Sequence, residues 1–126
     1  MQATAMSRQS MHEEMPTGNL AQGNILLMLY DGAIRFVELA KSQIEEGNVA
    51  AKEISLAKAY AIIAEFINSL DFDQAPELCT NLQQIYEFML AQLTEANASM
   101  NTKPLEIVHG YLNDLRNTWV EAVAKV

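Results

Sequence analysis

Two histidines, one cysteine and a single Glu-x-x-His spacing are the residues of this 126-residue chain whose types and spacing could do chemistry. On a helix, Glu106-Ile107-Val108-His109 puts a carboxylate and an imidazole on one face, the pairing that di-iron bundles use twice. A second pair is required, and the only other histidine is His12, near the N-terminus. His109 therefore reads as a histidine at a bundle edge rather than a metal ligand. A histidine phosphotransfer domain needs an exposed histidine in mid-helix. His109-Gly110 supports that alternative only weakly, because its neighbours are Val108, Gly110 and Tyr111 rather than a lysine. Cys79 lies on the edge of an apolar helical stripe with no basic neighbour to depress its pKa, so it reads as a packed thiol rather than a nucleophile. No serine or cysteine has a histidine partner in a catalytic arrangement, and no glycine-rich loop offers to cradle a phosphate. The expectation is a protein that is not an enzyme and has no metal, cofactor or catalytic residue.

Composition narrows the alternatives. A chain of this length forms one domain that buries roughly 65 to 70% of its unfolded surface. Sixteen acidic against eight basic residues give a formal charge of −8, which repels phosphate backbones and argues against nucleic-acid binding. A lone cysteine cannot form an internal disulfide. No run of about 18 apolar residues occurs and the N-terminus lacks a signal-peptide layout, so neither membrane insertion nor secretion by that route is expected. The expected location is the cytoplasm.

The elements that would position these residues are helices. Residues 1–18 have no apolar period and finish on Pro16, Thr17 and Gly18, which predicts a flexible tail ahead of a bundle domain at 19–126. A first helix is predicted from Leu20 or Asn24 to Glu46, stopped by Gly47-Asn48. It carries two adjoining stripes, Leu26, Leu29, Ala33, Phe36, Ala40 and Ile44 beside Leu27, Tyr30, Ile34 and Val37. Gly32 within it suggests that another backbone packs closely there. A second helix over 49–70 turns Leu56, Tyr60, Ile63, Ile67 and Leu70 inward and leaves Ile62 and Phe66 outside the seam. A third over 76–96 offers Leu78, Leu82, Ile85, Met89, Leu93 and Ala96, with Tyr86, Phe88 and Leu90 at its margins. Thr102 is the expected N-cap of a last helix with Pro104 in its first turn. That helix buries Leu105, Val108, Leu112, Leu115, Trp119 and Val123 and turns Ile107 and Tyr111 partly elsewhere. The sum is an all-α, antiparallel up-and-down four-helix bundle. Its core includes Leu29, Phe36, Ile63, Ile67, Leu82, Met89, Leu112 and Trp119, and a surplus apolar set, Ile62, Phe66, Tyr86, Leu90, Ile107 and Tyr111, is left to bind a partner. Taken alone, these residues equally allow a generic helical adaptor, or margins covered by the tail, a short extra helix or a homodimer.

Four stretches carry a family resemblance. Leu27-Met28-Leu29-Tyr30-Asp31-Gly32-Ala33-Ile34-Arg35-Phe36, Ser69-Leu70-Asp71-Phe72, Leu82-Gln83-Gln84-Ile85-Tyr86-Glu87-Phe88-Met89-Leu90 and Leu115-Arg116-Asn117-Thr118-Trp119 occur in the order seen in the flagellar export chaperone family FliS. The resemblance covers residues 19–126. It implies a chaperone that binds the disordered C-terminal segment of flagellin, prevents premature polymerisation and delivers it to the type III export apparatus. It also implies the export-gate membrane protein as a further partner, while the homodimer that the uncovered margins allow is expected of the client-free chain. One region departs from the pattern. Where the family approaches the first helix with a sequence like Thr-Ala-Ser-Pro-Glu and a tyrosine upstream, this chain reads Asn19-Leu20-Ala21-Gln22-Gly23 and has no aromatic before Tyr30.

Overall fold

The computed structural model describes residues 19–124. The tail expected at 1–18, residues 125 and 126, and the side chains of residues 19–22 and of Val123 lie outside the described residues. Four helices follow one another, α1 (Asn19–Glu45), α2 (Val49–Asn68), α3 (Pro76–Ser99) and α4 (Lys103–Ala124). Each packs on its neighbour in sequence and α4 closes back on α1. Cross-helix pairs fix the directions. On α1 and α4 they are Lys41 with Glu106, Glu38 with His109 and Asp31 with Arg116, so one number falls as the other rises and the helices are antiparallel. Tyr30 of α1 meets Tyr86 of α3 across the interior.

Local chemistry sets the corners. Gly47 has φ +75°, and its N–H donates to Ile44 O (3.0 Å) while Asn48 N–H donates to Gln43 O (2.9 Å). This is the paired bond of a Schellman stop, in which only glycine enters the left-handed region without a steric penalty. Asn48 then turns to its other role, its Oδ1 accepting from Ala51 N (3.1 Å) as the N-cap of α2. α2 ends at Asn68, two residues before the expected Leu70: Ser69 N–H still bonds Glu65 O, but Leu70 N–H turns to Ile67 O, three residues back. Asp71 organises the next corner by accepting from Asp73 N, Gln74 N and the Cys79 thiol. Pro76 opens α3, as its fixed φ and missing donor favour. Met100 ends α3 with φ 58°, a left-handed residue costing about 1–2 kcal/mol that its packing on the core offsets. At the start of α4 the side-chain acceptor is Asn101 Oδ1, bonded to Lys103 N, not the expected Thr102.

The core differs from the expected seam at identifiable positions. In α1 it runs between the two stripes, through Leu26, Tyr30, Ala33, Val37, Ala40 and Ile44; Leu29 and Phe36 pack on one flank and are only partly buried. In α2 it is Leu56, Ala59, Ile63 and Phe66. Tyr60, expected inside, is 44% exposed, and Ile67 is half-buried. The small Ala59 takes the inward place, and Phe66, expected outside, is 4% exposed because its ring stacks on Tyr30 at 4.4 Å. In α3, Cys79 and Tyr86 replace the expected Leu78 and Ile85, which pack partly buried against the core. Ile63, Leu82, Met89, Leu112 and Trp119 are buried.

Each helix contributes one member of a buried aromatic layer: Tyr30, Phe66, Tyr86 and Trp119. Trp119 Nε1–H donates to Tyr30 Oη (3.2 Å), and the Tyr30 and Tyr86 hydroxyls share a bond of 2.5 Å. Burial is the main reason that both phenols are held well above the ordinary tyrosine range. At the other end Lys52, also buried, donates through Nζ to Asn97 O (2.6 Å) and Oδ1 (2.5 Å), capping the C-terminal turn of α3 from α2. Gly32 meets no backbone. The nearest atom to a Cβ built there is Ile62 Cδ1 at 3.6 Å, so the close backbone approach expected from sequence is a side-chain contact.

Candidate functional site

The outside of the bundle has four faces of different chemistry. Between α4 and α1 it is polar, around a cavity of about 300 Å³ lined by Val37, Glu38, Lys41, Leu105, Glu106 and His109. Lys41–Glu106, Glu38–His109 and Asp31–Arg116 span this edge, and His109 is held at both nitrogens. Asn113 Nδ2 donates to Nδ1 (3.0 Å), which leaves Nε2–H to donate to Glu38 Oε2 (2.7 Å). A carboxylate therefore sits against Nε2 and an amide against Nδ1, so both ring nitrogens are engaged. The Arg116 guanidinium is held above its ordinary range, first by its hydrogen bond to Asp31. Among the described residues no group of three or more His, Cys, Asp or Glu side chains could hold a metal ion.

Apolar side chains gather on the next two faces. Between α3 and α4, Phe88 and Tyr111 meet edge to face with centroids 5.9 Å apart, and both are exposed. Ile107, one turn before Tyr111, is exposed beside them. Between α2 and α3 an open cleft of about 270 Å³ is floored by Leu56 and Leu93 and walled by Glu53, Ala57, Tyr60, Thr94 and Asn97. Leu90, half-buried, lies one turn from Thr94 on the same side of α3.

The six side chains expected to bind a partner are thus not one set. Ile107 and Tyr111 share the α3/α4 face. Leu90 belongs to the α2/α3 side, and Ile62 is half-buried over Gly32 on the α1/α2 side. Phe66 and Tyr86 are removed from the surface by their places in the aromatic layer. Sequence reasoning missed Tyr60 and underused Phe88. The signal for both was present, since Ala59 at the inward position turns Tyr60 outward, and Phe88 is two residues from the buried Tyr86, on the opposite side of the helix.

Comparison with known proteins places this architecture. A family model described as flagellar protein FliS matches residues 4–126. The chain is 32% identical over 112 residues to the flagellar secretion chaperone FliS of Bacillus subtilis, covering 89% of this chain and 83% of that one. It is 32% identical over 102 residues to the protein of the same name from Salmonella typhimurium, covering 80% and 76%. It is 32% identical over 95 residues to the flagellar secretion chaperone FliSB of Pseudomonas aeruginosa, covering 75% of each. A bundle joined through one aromatic layer, with apolar side chains left on its outside, is the form in which this chain belongs to the FliS family of flagellar secretion chaperones.

Proposed function

We propose that the chain binds the disordered C-terminal segment of flagellin in the cytoplasm, holds it against premature polymerisation and delivers it to the flagellar type III export apparatus, where the export-gate membrane protein is a second partner. The observation that carries this reading is the relationship to proteins named flagellar secretion chaperones over three quarters or more of the chain. Exposed Tyr60, Phe88, Ile107 and Tyr111, with Leu90 beside the α2/α3 cleft, support it by offering anchorage for apolar side chains of a helix. The action is binding, with no bond made or broken. A segment that folds as it docks loses about 2–5 kcal/mol to ordering, which leaves a complex that persists yet can be released. The client-free chain exposes the same side chains, and a homodimer would cover them.

The test is to mix the chain with the flagellin of its source and size the product by gel filtration with light scattering. A discrete heterocomplex is expected, and it should disappear when the flagellin C-terminal segment is deleted. Leu90→Ser with Tyr111→Ser should weaken binding by roughly tenfold or more. Burying one large apolar side chain is worth about 1.5–3 kcal/mol, of which these half-covered residues give part, and about 1.4 kcal/mol is tenfold. Melting should stay within a few degrees of the parent. Unchanged affinity by calorimetry would take the α2/α3 and α3/α4 faces out of the site.

A further inference from the structure

The cleft between α2 and α3 has one polar end, and that end is set from inside the bundle. Leu56 and Leu93 make the floor, and Tyr60 stands at the end nearer the α2–α3 corner. The antiparallel pairing marked by Lys52 and Asn97 brings Glu53 of α2 and Asn97 of α3 together at the other end. Lys52 is 2% exposed and donates to both Asn97 O (2.6 Å) and Asn97 Oδ1 (2.5 Å). An ammonium has donors only, so the side-chain atom that faces it is the amide oxygen. The other end of the same planar group, Nδ2, is thereby turned away from the buried ammonium, on the wall of the cleft.

Two polar groups at this end lack a partner. Among the described residues Asn97 Nδ2 donates to nothing, and Glu53 makes no ion pair or hydrogen bond. The Thr94 hydroxyl on the same wall is turned to its own helix, donating to Leu90 O (3.1 Å). The cleft therefore offers one donor from α3 and one acceptor from α2 beside an apolar floor. A carboxylate would accept from Asn97 but be repelled by Glu53. An ammonium or guanidinium would satisfy Glu53, leave the amide N–H without an acceptor and stand over the charge of Lys52. A hydroxyl carries donor and acceptor on one atom. A carboxamide carries them on two, so it can reach both walls at once.

We propose that Glu53 and Asn97 are specificity-determining residues for the client. They read an asparagine or glutamine side chain that accompanies an apolar anchor lying on Leu56 and Leu93. The client's carboxamide oxygen accepts from Asn97 Nδ2, and its N–H donates to the Glu53 carboxylate. Lys52 is a positioning residue that holds the Asn97 amide for this contact. The inference rests on the client reading and deepens it, because apolar anchorage alone would admit any amphipathic helix, whereas an unmatched donor and acceptor discriminate against the wrong one.

The probe is the C-terminal segment of the source's flagellin, labelled with fluorescein, beside variants in which each asparagine or glutamine is changed in turn to aspartate or glutamate. Anisotropy titrations use the full chain. One such change should weaken binding tenfold or more, and Glu53→Gln should restore most of that loss, because the new carboxamide can donate to the peptide carboxylate. Asn97→Asp should weaken the unchanged segment about tenfold while melting stays within a few degrees of the parent, since aspartate keeps an acceptor for Lys52. Lys52→Met frees the Asn97 amide to turn, so the ratio of affinities for the unchanged and changed segments should fall severalfold. A loss of stability alone would lower both affinities and leave that ratio as it was, which would overturn the role of Lys52. Indifference to Asn97→Asp would overturn the proposal and leave the client reading standing. Sensitivity to Asn97→Asp with no sensitive carboxamide in the segment would give the place to a backbone amide, and would overturn it too. A segment that the parent chain does not bind removes the client reading, and this inference with it.

Discussion

Tyr30 is the residue on which the interior turns. Its hydroxyl takes the indole N–H of Trp119 and meets the Tyr86 hydroxyl, so removing it strands two buried polar groups. Tyr30→Phe should destabilise the chain by about 1–3 kcal/mol. Tyr30→Phe with Tyr86→Phe should cost less than the sum of the singles, because the two hydroxyls share one bond; additive losses in denaturant titrations would break that picture. The same phenols fix the alkaline limit. Both are held above the ordinary value of about 10, so the folded state keeps protons that the unfolded state releases. Stability is therefore full below about pH 10 and falls above it, by about 1.4 kcal/mol per pH unit for each phenol. Chemical denaturation between pH 8 and 11.5 measures the slope, and a flat profile would mean that the phenols ionise in place. At Gly32 an added methyl would meet only Ile62 Cδ1 at ordinary contact distance, and at Gly110 nothing. Glycine is about 1 kcal/mol worse than alanine inside a helix, so Gly110→Ala should raise the melting point by several degrees and Gly32→Ala by as much or slightly less.

At the scale of elements, short corners hold long helices, and Asn48 serves two of them. Asn48→Ala removes the N-cap of α2 and should cost about 1 kcal/mol, while Asn48→Asp should retain most of the stability; a melting curve for each separates loss of the cap from loss of the corner. Lys52 ties α2 to the last turn of α3. Lys52→Ala leaves Asn97 O without its donor and opens space, whereas Lys52→Met fills the space. The alanine change should therefore be the more damaging, and the reverse order would make the ammonium itself the stabilising part. This polar clasp was not legible in the sequence, because a lysine between Ala51 and Glu53 on a helix reads as solvated. Helix number, order and approximate ends were legible, from apolar period, Gly47-Asn48 and Pro76. The facing of individual residues was less so. An inward stripe chosen by size takes Tyr60 over Ala59 and Ile85 over Tyr86, and only the pairing of hydroxyls and rings inside the bundle reverses the choice. That reversal also redraws the candidate site, since Phe66 and Tyr86 leave it and Tyr60 and Phe88 enter.

For the whole molecule, the distribution of charge matters more than individual ion pairs. The pairs along the α4/α1 edge are exposed, and each is worth about 0.2–1 kcal/mol. Against them stands the mutual repulsion of a chain carrying −8. Salt screens both, and with eight unbalanced negative charges against three exposed pairs we expect the repulsion to be the larger effect. Raising sodium chloride from about 10 mM to 0.5 M, where the screening length drops from roughly 30 Å to a few Å, should therefore raise the melting temperature by a few degrees. A fall would mean that the ion-paired edge carries more of the stability than its exposure suggests.

The aromatic layer also makes the chain its own optical reporter. Trp119 is the single tryptophan, it is buried where all four helices meet, and the hydrogen-bonded chain from its indole through Tyr30 to Tyr86 sets two excitation donors close by. Its burial predicts the emission of an indole shielded from water, which should redden only when the layer itself opens. A flagellin segment that docks on the outer faces should leave the emission maximum where it is. A client that pries α1 away from its neighbours should shift it at once. The colour of one residue thus distinguishes a chaperone that offers a finished surface from one that rearranges to hold its cargo.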